Sequence, residues 1–212
     1  MDKQDRCNLP ITLIAPAALA LDAGFPPLSM ALFEVLLRRR SCRDIAGGEL
    51  HLYQLSRLLW AAFGINRPTQ GGHTAPSAQH MREISVYVAM ASGLYRYDAR
   101  AHVLCPVLAE DIRAATGDQE YAATAPVNLI YVAECDPAPA ALRAEQQFHA
   151  ALDTGYISQN VYLFCAAEGL ATVACSRLDR AALAARMQLR PGQEVILAQS
   201  LGCPGTERDL NA

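Results

Sequence analysis

The sequence predicts a mixed α+β fold in which several helices enclose a small sheet. Segments whose apolar residues are spaced three and four positions apart predict helices, and short runs rich in β-branched and aromatic residues predict strands. The two kinds of segment alternate along the chain, with proline or glycine at most of the junctions. With 212 residues, of which 52% are hydrophobic and 18% charged, the chain can bury a substantial core.

The amino-terminal part is predicted to be an extended arm followed by a helix. Prolines and a glycine interrupt residues 10–27, and acidic residues offset the basic ones before them, which favours an arm over a cleaved signal peptide. Ser29 can cap the helix that follows, whose apolar residues cover more than one face. Such a helix is usually buried in a core or an interface, and we expect it to end at the arginine-rich residues 38–43.

The remaining elements follow from the same two patterns. They are, in order, a helix at 52–63, a loop at 65–80, a hairpin at 84–97 with its turn at Ser92 and Gly93, a short helix at 111–116, a strand at 126–133, one or two helices within 138–168, a strand at 172–175, a helix at 179–189 and a strand at 195–201. Gly64 suits the left-handed conformation that often ends a helix, and Gly155 is a candidate irregularity. We expect Asp153 and Glu168 to face solvent from one helix stripe, and most aromatic residues, Tyr162 among them, to lie in the core.

Composition and motifs exclude several classes of protein. The formal net charge of −3 gives no general case for nucleic-acid binding, and no apolar run is long enough to predict a membrane span. The seven cysteines form no CxxC pair and no metal spacing with histidine, so we expect reduced thiols, a cytoplasmic protein and no metal site. Neither a glycine-rich phosphate loop nor a G-x-S-x-G motif is present.

The most informative local feature is the arginine-rich segment, residues 38–43. It carries four guanidinium groups and the Ser41 hydroxyl at the predicted end of a helix. Arginine forks bind phosphate or carboxylate oxygens two at a time, which predicts an anionic ligand. Cations also favour the carbonyl end of a helix and are often solvated there, so the segment alone leaves both interpretations open. The loop at 74–78 is rich in small residues and keeps its backbone amides accessible to a flat or anionic ligand.

Taken together, these segments resemble the FMN-dependent nitroreductase family from about residue 11 to residue 205. The segments that carry the resemblance are 11–16, 39–43, 55–67, 74–78, 93–98, 125–127, 159–163, 168–172 and 201–204. Each segment is weak alone, but all of them occur in the family's order. The pattern is most similar to the branch that contains compact nitroreductases and the SagB-like, thiazoline-forming oxidases.

The resemblance implies a nitroreductase-like α/β sandwich with a central, mostly antiparallel sheet enclosed by helices. It implies one domain over residues 1–212, with an extended arm at 1–27 and a carboxyl-terminal tail at 203–212. It also implies an intertwined homodimer with FMN at the interface and NAD(P)H as co-substrate. From charge and hydropathy we expect neither nucleic acid nor membrane among the partners.

The resemblance further assigns the contacts with FMN. The residues concerned are Arg39, Arg40, Ser41, Arg43, Ser77, Ala78, His80, Ser176, Arg177 and Arg208. The first four would hold the phosphate and ribityl chain and reach the pyrimidine edge, and the next three would lie near the flavin ring. Ser176 and Arg177 would offer backbone donors on the N5 side, and Arg208 would assist the phosphate. No side chain is assigned a role as catalytic acid or base.

The implied activity is transfer of hydride from NAD(P)H through FMN to an electron-poor acceptor such as a nitroaromatic or a quinone. Two alternatives remain open from the sequence. One is a SagB-like dehydrogenase that oxidises azoline rings in a modified peptide. The other is a flavin-binding module without turnover, because His80 stands where many members carry asparagine and the segment 174–177 lacks their Glu-Gly pair.

Overall fold

The computed structural model of the protein describes residues 9–13, 32–77, 83–135 and 140–205. The strands are β1 (Ile11–Thr12), β2 (Ile65–Arg67), β3 (Gly72–His73), β4 (Ile84–Met90), β5 (Gly93–Asp98), β6 (Val103–Leu108), β7 (Val127–Glu134), β8 (Ala171–Cys175) and β9 (Gln193–Gly202). The helices are α1 (Leu32–Arg38), α2 (Leu52–Phe63), α3 (Glu120–Thr124), α4 (Ala140–Glu168) and α5 (Arg180–Arg186), with a 3-10 turn at Arg113–Ala115.

Seven of the strands form one sheet in the order β1-β6-β5-β4-β7-β9-β8, while β2 and β3 form a separate hairpin. Every neighbouring pair in the large sheet is antiparallel. The predicted α+β class and the mostly antiparallel sheet are therefore confirmed. The strand β8 lies at one edge of the sheet, a position that matters for the site described below.

Alternate residues of the central strands face two different layers of helix. Val86 and Val88 of β4 pack in the larger core with α2 and α4. Tyr87 and Ala89, which point the other way, pack in a second core that includes Leu183 of α5. The period of two in a strand explains this division, and it makes the molecule a helix–sheet–helix sandwich.

Most predicted elements are confirmed to within a few residues. The helix α2 has the predicted bounds, and residues 140–168 form a single helix that continues through Gly155. The β4–β5 hairpin turns at Ala91 and Ser92, one residue earlier than predicted, and Gly93 begins β5. The helix α1 ends at Arg38, as predicted. Ser29 and residues 14–27 of the predicted arm lie outside the described residues.

Two predictions need correction here, and two elements were missed. Residues 65–80 are not one irregular loop, because β2 and β3 pair within them. The strand β6 and the helix α3 were not predicted at all. The strand β6 contains Pro106, and proline is rare in a strand that is paired on both sides. It is tolerated here because β1 pairs only with Val103 and Leu104 of β6, so Pro106 lies beyond that pairing. Gly64 is extended, with φ of −70° and ψ of 166°, instead of left-handed.

Gly64 is needed for a different reason from the one predicted. A Cβ atom at this position would lie 2.5 Å from both the carbonyl oxygen and the ring atom Cδ1 of Trp60, one turn earlier. Only glycine allows the chain to leave α2 this close to the tryptophan. Glycine is therefore required here by the close contact with Trp60 and not by a positive φ.

The helix α1 is less buried than its sequence predicts. Val35 is its one buried side chain, whereas Phe33 is 71% exposed and Leu37 is 72% exposed. We expected this helix to be buried in a core or in an interface. Most of its side chains do not lie in the core of this chain. Among the described residues, no helix combines the length and the apolar character needed to cross a membrane.

Candidate functional site

The arginine-rich segment lies against the edge strand of the large sheet. The Cys42 N–H donates a hydrogen bond to the Thr172 carbonyl of β8 at 2.9 Å. Further along, the Ala46 N–H donates to the carbonyl of Cys203 at 2.8 Å, and Ile45 bridges to Pro204. The side chains of Cys42 and Ile45 are buried against β8. These bonds hold the backbone on both sides of Arg43 against the sheet, and Arg38, Arg39 and Arg40 come directly before the first of them.

Tyr162 of α4 connects this segment to β8. Its hydroxyl accepts a hydrogen bond from the Ala174 N–H at 2.8 Å and lies 2.9 Å from Ser41 Oγ. The guanidinium carbon of Arg39 lies 5.5 Å from the centre of the tyrosine ring, within the range of a cation–π contact. One side chain from the helix therefore contacts both the cationic segment and the edge strand.

A cavity of about 390 Å³ opens between these elements. It is lined by Arg38, Arg40, Cys42, Tyr162, Cys165, Ala166, Gly169, Leu170, Ala171, Thr172 and Pro204. The lining contains two guanidinium groups and no carboxylate. Burial raises the pKa of the Cys165 thiol, so this residue is neutral at ordinary pH. The cavity is therefore cationic at the arginine side and apolar along α4.

A second cluster surrounds the carboxyl-terminal end of β8. Burial raises the pKa of Tyr121, the neighbouring Cys175 raises it further, and the Arg43 guanidinium opposes both effects. Arg177 forms an ion pair with Asp118 at 3.1 Å, at a largely exposed position. Arg43 and Arg177 thus reach the same region from the arginine-rich segment and from the residues after β8.

The structure brings six of the ten predicted site residues to the β8 edge. These are Arg39, Arg40, Ser41, Arg43, Ser176 and Arg177. Ser77 is half-buried at the end of the described part of the loop after β3, and it is not part of the cavity lining. Ala78, His80 and Arg208 lie outside the described residues.

Sequence reasoning missed the role of Tyr162, which it placed with the core aromatics. The available signal was its position, because it lies in the last two turns of the helix that precedes β8. An amphipathic tyrosine at such a position can direct its ring inward and its hydroxyl toward a strand edge. Helical periodicity alone does not reveal that hydroxyl's partners.

The expected solvent stripe on α4 is wrong at both of its residues. Asp153 is only 2% exposed. Glu168 accepts two contacts from Arg57 of α2, at 3.1 and 3.2 Å, and both side chains are largely buried. The Arg57 guanidinium also lies 5.4 Å from the Tyr53 ring centre and 5.7 Å from that of Phe164. This pair fixes the end of α4 directly before Gly169, which lines the cavity.

Another polar cluster is buried and cannot serve as a hydrolytic site. His102 bonds Ser56 Oγ at 2.9 Å through one ring nitrogen and the Tyr97 hydroxyl at 2.8 Å through the other. Ser56 is fully buried, so its hydroxyl has no access to a substrate. In the described part of the chain, no three histidine, cysteine or acidic residues are arranged to hold a metal ion.

The chain matches known proteins over most of its length. The family model described as the nitroreductase family matches residues 36–203. A protein of Methanocaldococcus jannaschii named as a putative nitroreductase is 30% identical over 152 residues, which are 67% of this chain and 76% of the relative. The solved structure of a protein from Ralstonia eutropha with the same description is 37% identical, with a TM-score of 0.79, and the match covers 94% of this chain and 96% of that one.

The fold also occurs in more distant structures. The NADPH:FMN oxidoreductase from Vibrio harveyi, solved in complex with NAD⁺, has a TM-score of 0.61 at 19% identity, over 82% of this chain and 69% of that chain. At this identity the likeness supports the fold alone. Because the family model spans most of the sequence and the relatives match at 30% and 37% identity, this chain belongs to the nitroreductase family of flavin-dependent oxidoreductases.

Proposed function

We propose that this protein is an FMN-dependent oxidoreductase that transfers hydride from NAD(P)H to an electron-poor acceptor such as a nitroaromatic or a quinone. It acts as a cytoplasmic homodimer of single-domain subunits. The observation that carries the proposal is the position of the arginine-rich segment along β8, beside the 390 Å³ cavity. That position favours an anion site over a solvated helix end, because the segment is bonded to the sheet at Cys42, between Arg40 and Arg43, and again at Ala46.

The residues at this edge fit a ligand that combines a phosphate with an apolar ring system. Arg39, Arg40 and Ser41 supply charged and neutral donors, and no carboxylate lines the cavity to repel an anion. Cys165, Ala166 and Leu170 supply apolar surface on the other side. The cavity volume lies within the range typical of small-molecule sites. FMN has both of these chemical features.

Each predicted residue has a defined role in this proposal. Arg39, Arg40 and Ser41 hold the phosphate and ribityl chain, with Arg208 assisting from the tail. Arg43 stabilises negative charge at the pyrimidine edge. The backbone at Ser176 and Arg177 donates on the N5 side, and the loop with Ser77, Ala78 and His80 lies beside the ring.

The protein's own contribution is binding and orientation. FMN, when bound, supplies the redox chemistry by accepting a hydride from NAD(P)H and passing two electrons to the acceptor. No side chain is required as an obligatory acid or base. The residues along β8 instead fix the flavin and present its ring to one substrate after the other.

The homodimer is supported by apolar side chains that remain exposed in the single chain. They are Leu32, Phe33, Leu36 and Leu37 of α1 and Leu142, Phe148, Leu152 and Tyr156 of α4. α1 packs against α4, and an apolar hollow of about 300 Å³ lies where α1 meets the later turns of α4. Exposed apolar surface of this kind marks protein interfaces, and a second copy of the chain offers the same surface in return.

The experiment that tests the function is a visible absorption spectrum of the purified protein under anaerobic conditions. A flavin spectrum that NADH or NADPH bleaches, and that a nitroaromatic or quinone restores, is the expected result. A bound flavin that neither nicotinamide bleaches would favour the SagB-like dehydrogenase of azoline rings. A protein that holds no flavin after incubation with FMN would contradict the proposed function.

A further inference from the structure

The Tyr162 hydroxyl contacts two polar groups that the proposed function assigns to different ends of the flavin. Ser41 Oγ, at 2.9 Å, belongs to the phosphate end. The Ala174 N–H, at 2.8 Å, belongs to the strand that leads to the N5-side backbone. The tyrosine itself comes from α4, so three separate segments meet at one oxygen atom.

One of these two hydrogen bonds has a fixed direction. The Ala174 N–H can only donate, so the Tyr162 oxygen accepts that bond. In the bond between the two hydroxyls, either oxygen can donate. When Tyr162 donates its phenol hydrogen to Ser41 Oγ, Ser41 keeps its own hydroxyl hydrogen and can donate it to an anion. A bound phosphate favours this arrangement, because in the opposite one the Ser41 hydrogen is already used in the bond to Tyr162.

The ring of Tyr162 acts on a second group of the same site. The Arg39 guanidinium lies 5.5 Å from the ring centre. A cation–π contact restricts the side chain without using any of its N–H donors, which stay available for phosphate oxygens. Hydroxyl and ring therefore orient the two neighbouring donors Ser41 and Arg39 by different means.

We infer that Tyr162 is the positioning residue of the phosphate end of the flavin site, a role that rests on the proposed function. It turns the Ser41 hydroxyl into a free donor and holds the Arg39 guanidinium beside it. Tyr162 thereby helps the protein to distinguish a phosphorylated flavin from riboflavin, which shares the ring and the ribityl chain but has no phosphate. Its effect on binding should be seen only when the ligand carries that phosphate.

The test compares FMN and riboflavin binding to flavin-free protein by the quenching of flavin fluorescence. Tyr162→Phe removes the hydroxyl and keeps the ring. We expect its Kd for FMN to rise about tenfold, the size of one hydrogen bond to a charged group, while its Kd for riboflavin stays at the wild-type value. Tyr95→Phe is the matched control, because it removes another tyrosine–serine hydrogen bond, the one to Ser92 Oγ at the turn before β5; neither Kd should change.

A double-mutant cycle isolates the link to Ser41. Ser41→Ala should weaken FMN binding by a similar factor, and adding Tyr162→Phe to it should have little further effect, because the hydroxyl to be oriented is already absent. Equal weakening of FMN and riboflavin, or losses that multiply in the double variant, would assign Tyr162 a merely structural role and overturn the inference.

Two further outcomes separate this inference from the proposed function. Wild-type protein that binds FMN, with Tyr162→Phe binding it equally well, would remove the inference and leave the function intact. Wild-type protein that binds neither flavin would remove both. Should Tyr162→Phe fail to fold, Ser41→Ala decides alone: since Ser41 is exposed, an unchanged Kd for FMN in this variant overturns the inference.

Discussion

The two ends of the long helix α4 differ in how many of their polar groups are hydrogen-bonded, and how many of their apolar side chains are covered, within the described residues. Near its carboxyl terminus, Tyr162 and Glu168 both bond to groups from other segments. In the amino-terminal half, large apolar side chains are exposed, and buried polar atoms lack a hydrogen-bond partner in the described residues. These atoms are Gln146 Oε1, His149 Nδ1 and Thr154 Oγ1, together with Glu83 Oε1 of the neighbouring segment before β4.

Buried polar atoms without partners are costly, and native structures contain few of them. One end of α4 is therefore complete, in that its polar groups bond within the described residues, whereas the other is incomplete, in that three of its buried polar atoms have no partner there. The complete end carries the proposed flavin site. The incomplete end carries part of the surface that we propose a second subunit covers.

The largest expected effect concerns the exposed apolar face of α1, which lies beside the later turns of α4. Phe33→Ala should weaken the proposed dimer, because each copy loses about 1.5–3 kcal/mol of apolar burial and the dimer contains two copies. Sedimentation velocity over a range of concentrations measures the change. Val107→Ala, an apolar surface change on β6, is the control and should leave the dimer intact. A wild-type protein that sediments as a monomer would show that α1 is not covered by a second copy.

The next effect concerns the complete end. Glu168→Ala should destabilise the protein by about 3–5 kcal/mol, because it leaves the largely buried Arg57 guanidinium without its carboxylate. Urea unfolding measures the loss. Glu145→Ala, in the other half of the same helix, removes a mostly exposed carboxylate and should change the stability by less than about 0.5 kcal/mol.

A companion variant sharpens the interpretation of that pair. Replacing both partners, as in Arg57→Leu with Glu168→Leu, should cost less than Glu168→Ala alone, because no buried charge then remains unpaired. Equal losses in the two proteins would show that the pair matters through packing and not through charge.

The third effect asks whether the complete end holds the ligand. Arg39→Ala and Arg43→Ala should each weaken FMN binding by about 1.5–3 kcal/mol without unfolding the protein, the range for hydrogen bonds to charged groups. Fluorescence titration of the flavin-free protein gives the Kd. Arg100→Ala, on the exposed turn between β5 and β6, is the control. Unchanged flavin retention in both variants would remove these arginines from the site.

The smallest expected effect is a pH-dependent change in stability, and it concerns Glu83, beside the incomplete end of α4. Burial raises the pKa of Glu83, Asp153 raises it further, and His149 partly opposes them. Because the folded-state pKa lies above the unfolded value, the folded state binds the extra proton, and stability falls as pH rises through the folded pKa. Glu83→Gln should therefore stabilise the protein more at pH 8 than at pH 5.

Thermal unfolding at the two pH values measures this difference, with the exposed Glu145→Gln as the comparison. A Glu83→Gln protein whose advantage is the same at both values would show that the carboxylate is ionised at neither pH or at both. In that case the cost of Glu83 would not depend on a proton.

Structural features set by residues close together in the sequence could be predicted, whereas features set by contacts with distant segments could not. The bounds of α2 and the turn of the β4–β5 hairpin follow from spacing and from glycine within a few residues, so both could be predicted, the turn to within one residue. The strand β6 was not predicted, and it contains Pro106, whose tolerance in a strand depends on how far the distant strand β1 extends along β6. The burial of Asp153 and the pairing of Glu168 depend on what packs against α4, which helical periodicity does not encode.

The same distinction holds for the candidate site. The composition of the arginine-rich segment was enough to suggest the anion site that we propose. Tyr162 did not, because its importance comes from two partners that lie 121 and 12 residues away along the chain. The family resemblance assigned contacts with the flavin to residues within matched motifs, and it assigned no role to Tyr162, which contacts two of those residues.

The bonds that assemble the site also occupy the outer side of β8. An uncovered edge strand offers its free amides and carbonyls as a template on which another chain can add a strand, and this is a common start of aggregation. Here the Thr172 carbonyl is taken by Cys42 and the Ala174 amide by Tyr162. The arginine-rich segment that we propose binds the ligand thus also covers the edge of the sheet. Changes that loosen it should lower the solubility of the protein as well as its affinity for the ligand.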